Sequence, residues 1–271
     1  QGAFDALMRA IEAANSSGLE FQVNTTITRS NIEELPDIFS LAIKGIRYCR
    51  QEAIKVGLRF TITKGNAGEI PDIFDLLEKE NIPRICFYHL VYTGRGLELK
   101  NNDLDHADTR RLMDLIIDRT ADLHRRGIKT EVLTVDNHAD SVYLYLRMKR
   151  EKSNRADSVM ELLKMNGGNS TGIGIGCVSW DGTVYPDQFW RHHAVGNVRE
   201  TSFSEIWSNE KNPLLLSLRD RKLLLKGRCA RCVWKDICNG NFRARAESVY
   251  GDMWQEDPAC YLTENEISNK V

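Results

Sequence analysis

Four cysteines near the C-terminal end carry the clearest chemical signal in this sequence. Cys229, Cys232, Cys238 and Cys260 are separated by two, five and twenty-one residues. Two residues between thiolates let one tight loop present two sulfurs to a single site, while more distant residues complete the shell. Spacing alone suits a four-thiolate zinc ion and an iron–sulfur cluster equally well. Lys226, Arg228, Arg231, Lys235, Arg243 and Arg245 surround these ligands. They would offset the charge of a thiolate-bound cluster, although a solvated basic face accounts for most of them just as simply. Seven cysteines in all make a poor disulfide framework, because the count is odd and four crowd into one short stretch.

The remaining chain must position these ligands. Sliding the sequence on itself gives a gapless match at an offset of 35, between residues 6–39 and 41–74. It pairs Ile11 with Ile46, Thr26-Ile27-Thr28 with Thr61-Ile62-Thr63, Asn31 with Asn66, and Pro36-Asp37-Ile38-Phe39 with Pro71-Asp72-Ile73-Phe74. Each copy reads as helix, strand, loop and helix start: residues 4–14 and 43–49 have helical spacing of apolar residues, and 21–27 and 56–62 are β-branched and aromatic. An apolar run at 84–91, a helix over 108–126 and a strand at 129–135 continue the alternation. That rhythm predicts an α/β fold with a parallel sheet, open or curled into a partial (β/α) barrel. A charged helix over 147–165 and the turn-prone Asn166-Gly167-Gly168-Asn169 then lead to a second domain. Its first element is a hairpin over 174–185 turning at Asp181-Gly182. The boundaries read from this are 1–146, 147–172 and 173–271. Cys49 and Cys86 fall in a predicted helix and a predicted strand and read as core, and Cys177 as a lone buried thiol, with a further ligand as the alternative.

Composition excludes little else. With 271 residues, 42% hydrophobic and 28% charged, and a net charge of -1, the chain is an ordinary globular sequence. Bulk charge does not point to nucleic acid. No apolar run reaches membrane-spanning length and no basic-then-apolar leader opens the chain, so the expectation is a cytoplasmic protein with no membrane partner.

The stretch from Gly227 to Arg245, with Asp257-Pro258-Ala259-Cys260 downstream, resembles the SPASM extension of radical S-adenosylmethionine (SAM) enzymes, as do Asp181-Gly182-Thr183-Val184-Tyr185-Pro186 and Phe203-Ser204-Glu205-Ile206-Trp207 before it. The resemblance implies a partial radical SAM barrel followed by a small SPASM-type domain, with auxiliary [4Fe–4S] ligands at Cys229, Cys232, Cys238 and Cys260. Asp187 and Phe242 stand where two-cluster members carry further cysteines, so one auxiliary cluster is expected. The phrases at 85–96, 133–140 and 186–191 narrow the resemblance to members that remove carboxylate side chains from the iron tetrapyrrole 12,18-didecarboxysiroheme, in haem d1 and haem biosynthesis.

That resemblance implies SAM and an iron tetrapyrrole as ligands, and an electron donor such as flavodoxin or ferredoxin. Asn24 and Arg59, at matching places in the repeat, are candidates to touch SAM. Gly94 and Gly96, in Thr93-Gly94-Arg95-Gly96 beyond a strand, would let backbone approach a ligand. Arg95, Arg191 and Arg243 are candidate forks for substrate carboxylates. His138, with His192 or His193 as substitutes, would meet the iron. The family's Cys-x3-Cys-x2-Cys loop has no counterpart here, and the chain begins at Gln1 rather than Met. The expectation is a fragment, or a rearranged relative, that does not cleave SAM by itself. The competing expectations are a SPASM enzyme acting on a peptide and a non-catalytic binding module stabilised by a cluster or by zinc.

Overall fold

The computed structural model describes residues 22–27 and 35–268, with isolated positions between 9 and 17. Strands β1 (Gln22–Ile27), β2 (Lys55–Thr61), β3 (Arg84–Tyr88) and β4 (Glu131–Val135) form one sheet in sequential order. The first three are parallel neighbours, joined through α1 (Leu35–Gln51) and α2 (Ile70–Lys79). The repeat is therefore two successive βα units. Pro71 opens α2, where a missing N–H costs nothing, and Pro36 is likewise the second residue of α1. Asn24 pairs with Gly57 and Thr26 with Arg59. The strands thus pair two residues out of step with the repeat, which preserves the faces because side chains alternate with period two. Most of the helix expected over 4–14 lies outside the described residues, of which Arg9, Ala10, Glu12 and Ala13 are helical, and so does the side chain of Asn24.

Residues 1–88 with 118–133 form one compact unit, and 89–117 with 134–271 a second. In the first, Leu58 and Phe60 of β2 stand beside Ile85 and Phe87 of β3, all of them buried. Phe87 meets Phe60 edge-on at 6.0 Å and stacks on Phe74 of α2 at 5.7 Å. Burying each such side chain contributes about 1.5–3 kcal/mol. The other face is half open. Arg59 is exposed on it, with its guanidinium 5.5 Å from the ring centre of Tyr88. Cys86 is not core: its register partner is Arg59, which turns its thiol to this half-open face.

Helix α3 (His106–Arg125) precedes β4. In the second unit the charged stretch over 147–165 is two helices, α4 (Ala139–Arg150) and α5 (Ala156–Asn166). Lys152 takes a left-handed backbone with φ +55° between them, where Lys152-Ser153-Asn154 favours a turn over a continued helix. A three-stranded antiparallel sheet follows, β5 (Cys177–Val178), β6 (Thr183–Tyr185) and β7 (Gly196–Asn197). The hairpin turns where expected, with the Thr183 N–H donating to Asp181 Oδ1 at 3.0 Å. Helix α6 (Phe203–Trp207) starts with a capping box between Ser202 and Glu205. The order then runs α7 (Pro213–Arg219), α8 (Gly227–Arg231), α9 (Lys235–Cys238), α10 (Arg243–Tyr250) and α11 (Glu264–Ser268). No helix of the described residues is long and apolar enough to cross a membrane.

Candidate metal centre

Short helices and turns bring the four cysteines together. Cys229 sits in α8 and Cys232 just beyond it, Cys238 ends α9, and Cys260 closes a turn in which its N–H donates to the Asp257 carbonyl at 3.0 Å. All four line one cavity with Arg228 and Lys235. After Cys238 the chain makes a left-handed run through Asn239, Gly240 and Asn241. Gly240 has no room for a side chain there, since a Cβ would lie 2.8 Å from Leu225. Gly168 is similarly constrained, because a Cβ would fall 2.4 Å from the carbonyl carbon of Cys238. The Asn166-Gly167-Gly168 stretch is therefore a close support for the ligand loop.

Burial pushes all four thiols up, Cys260 to about 12, and in Cys238 the charges of the other three cysteines add to the effect. Four thiolates so placed need a cationic group among them. Backbone N–H groups face each sulfur: Asp257 at Cys229, Trp234 at Cys232, Gly240 at Cys238 and Leu262 at Cys260. Such donors stabilise thiolate and cluster charge.

The surrounding bases divide by role. Lys226 pairs with Asp252, and Arg228 and Arg231 share Glu264. Arg245 is fully buried against Asp257 at 2.8 and 2.9 Å, and also donates to the carbonyls of Leu90 and Asp136. Asp257 in turn accepts the N–H groups of Phe242 and Ala259. Despite desolvation, the Arg245 guanidinium holds this carboxyl below its ordinary range. Arg243 is buried with its guanidinium on the carbonyls of Gly240, Met253 and Gln255; it is committed to backbone and leaves no fork for a substrate.

Asp187 and Phe242, the two departures from cysteine, are built into the interior. Burial raises the Asp187 carboxyl, which accepts from the Thr171 hydroxyl at 2.6 Å and the Phe189 N–H at 2.8 Å. Phe242 packs between Phe189 and His138, with ring centres 5.5 and 6.0 Å away.

A second cavity, of about 720 Å³, is lined by Tyr92, Gly94, Phe189, Arg191, His192 and Glu247 among others. Of the sequence candidates it gathers Gly94, Arg191 and His192. Arg191 is exposed, stacked 4.6 Å over Trp180 and bonded to the Ser179 hydroxyl. Arg95 and Gly96 begin the neighbouring helical turn without lining the cavity. His138 is stacked on Phe242, and burial lowers its pKa to about 4. Sequence reasoning missed Glu247, which receives both His192 and His193. Nothing in the local sequence links residues so far apart.

Residues 174–233 match the SPASM iron–sulfur cluster-binding domain. The SPASM match ends one residue past Cys232, and the last two cysteines follow it. The chain is 57% identical over 243 residues to Fe-coproporphyrin III synthase of Methanosarcina barkeri, covering 89% of this chain and 61% of that protein. Pre-heme d1 synthase of Dinoroseobacter shibae is 41% identical over 83% of this chain and 56% of its own length. The chain thus spans about three fifths of these relatives. In fold it resembles Streptococcus suis SuiB bound to precursor peptide SuiA (TM-score 0.65, 18% identity, 89% of this chain and 53% of that one). It also resembles anSMEcpe with bound AdoMet (TM-score 0.61, 16% identity, 89% and 64%). At this identity the likeness shows the fold alone, and the described residues combine a partial barrel sheet with the SPASM match over 174–233.

Proposed function

We propose that this chain is the cluster-bearing part of a radical SAM enzyme that removes carboxylate side chains from an iron tetrapyrrole. The observation that carries the reading is a cavity lined by four cysteines, each sulfur faced by a backbone N–H, in a chain 57% identical to an Fe-coproporphyrin III synthase. The residues fit one [4Fe–4S] cluster at Cys229, Cys232, Cys238 and Cys260. When bound, such a cluster accepts or relays an electron or anchors substrate. Asp187 and Phe242, both engaged in packing, support a single auxiliary cluster.

The chain's own residues would bind and orient the tetrapyrrole. Arg191 offers a guanidinium to a carboxylate at the large cavity, and Phe189 and Tyr92 supply flat apolar surface. Arg95 and Gly94 belong to the adjacent loop, and His138 stands behind Phe242 as a neutral imidazole. For SAM we assign Arg59 and Asn24 of the first unit; in the second unit, Gly94 and Gly96 would let backbone approach a ligand. An external donor such as flavodoxin or ferredoxin would supply electrons, in the cytoplasm. A solved structure bound to a precursor peptide shares only the fold at this identity, and the match of residues 174–233 to an iron–sulfur cluster-binding domain favours a cluster over zinc.

Anaerobic reconstitution followed by iron and sulfide analysis tests the cluster, with about four irons per chain expected; stoichiometric zinc without sulfide overturns it. Titration with 12,18-didecarboxysiroheme and with a peptide substrate of a SPASM enzyme tests the substrate class. Tetrapyrrole binding alone supports it, and peptide binding alone refutes it.

A further inference from the structure

We propose that His192, His193 and Glu247 form a site for a single divalent transition-metal ion, distinct from the cysteine cavity and open to the large cavity. His192 Nε2 lies 3.0 Å from Glu247 Oε2, and His193 Nε2 lies 2.8 Å from Glu247 Oε1. The three donor atoms fall within 4.8 Å of one another. Two imidazoles and a carboxylate suit zinc and its first-row neighbours, whereas the thiolates elsewhere suit a softer group. Metal–ligand bonds of about 2.0–2.2 Å at tetrahedral angles separate ligand atoms by about 3.3 Å. The two His–Glu spacings need to widen only by a few tenths of an ångström to admit an ion, and the third lies within 4.8 Å.

Both sides of the site are held in place. His193 closes a turn on the Trp190 carbonyl at 3.1 Å, and its ring meets the fully buried Trp190 edge-on at 5.2 Å. Glu247 projects from α10, which the buried Arg245–Asp257 pair fixes. Access is on the other side: His192 is 61% exposed, and both it and Glu247 line the 720 Å³ cavity. Three protein ligands leave a fourth position for water or an incoming ligand. Arg191 lines the same cavity, so a carboxylate-bearing molecule entering there would meet the ion and a guanidinium together. Without an ion, two imidazoles share one carboxylate through hydrogen bonds alone, and that arrangement makes no demand on metal.

The test is a Co²⁺ titration of the full chain after its cysteines have been loaded with cluster, read by visible absorbance and by metal analysis. One Co²⁺ per chain is expected beyond the cluster iron, with a spectrum free of thiolate charge transfer and displaced by Zn²⁺. His192→Ala and Glu247→Gln should each weaken binding at least about tenfold, the lower range for disturbing even an outer partner of a metal site. Unchanged iron content certifies that each variant is folded. Should Glu247→Gln lose its iron, His192→Ala, which alters the most exposed ligand, decides alone. No additional Co²⁺, a thiolate-type spectrum, or wild-type affinity in the folded variants overturns the site. Added acetate should perturb the wild-type Co²⁺ spectrum; indifference to acetate refutes the open fourth position.

Discussion

The two compact units solve the same problem with opposite materials. The first buries Leu58, Phe60, Phe74, Ile85 and Phe87, with a few buried polar groups, Asn66, Glu80 and Thr130, of which Glu80 is met by the exposed Arg47 at 2.7 and 2.9 Å. The second buries ions and amides: Arg221, Arg243, Arg245, Asp140, Asp187, Asp257, Asn169 and Asn241 are all nearly inaccessible. Asp140 is met by His89 and Tyr261 at 2.8 Å each, and Arg221 by Asn169 and two carbonyls. Apolar burial is tolerant and non-directional. A buried polar network rewards only complete satisfaction. The first unit can therefore stand on its sequence pattern, while the second depends on having every partner in place, the metal group included.

The largest expected effect is cluster removal. Anaerobic chelation should abolish amide-exchange protection around α8, α9 and α10 while leaving β2, β3 and α2 protected, since binding a group absent from the unfolded state contributes directly to folding. Equal loss in both units would break the contrast. Next comes Asp257→Asn, which strands the Arg245 guanidinium. A cost of about 3–5 kcal/mol is expected, because one partner of a buried ion pair remains unpaired. Denaturant unfolding with parallel iron analysis checks it; an unchanged midpoint would show that the pair is dispensable.

A smaller effect concerns pH. Burial lowers His138 to about 4 from an ordinary 6.5, so between those values the unfolded chain takes up a proton that the folded chain refuses. Stability contributed by this group is thus lost as pH falls from 6.5 towards 4. His138→Phe should flatten that part of the stability profile, measured by unfolding at several pH values; an unaltered slope would mean that His138 does not govern it. The smallest effect belongs to Arg191→Ala. Because Arg191 is exposed, its loss should weaken tetrapyrrole binding by less than about 1 kcal/mol, short of tenfold. A hundredfold loss in a titration would show that the cavity closes over it.

The contrast also explains what could be read from the chain before folding. Period-two apolar residues in β2 and β3 and the proline at the start of α2 are local signals, so the βα units were legible. So was the grouping of four cysteines, which the fold brings to one cavity and whose types and spacing stand out without knowledge of the fold. Buried ions leave no such trace. Arg243 and Arg245 look like surface bases until Asp257 and a set of carbonyls are seen to enclose them. Cys86 looks like core because strand residues on both faces can be apolar, and only the register with Arg59 distinguishes them. The break near Lys152 was hidden by charge periodicity that runs through both helices. Glu247 joins His192 and His193 across more than fifty residues, a distance over which no motif reports.

The clasp at Asp257 bears on the order of assembly. Cys229, Cys232 and Cys238 close loops of a few residues, whereas Cys260 must return across twenty-one, and longer loops cost more entropy to close. Its approach is guided by a carboxylate that bonds Arg245, the Phe242 N–H and the Ala259 N–H at once. The placing of the fourth sulfur therefore depends on one buried aspartate, whereas the other three are placed by short loops of their own.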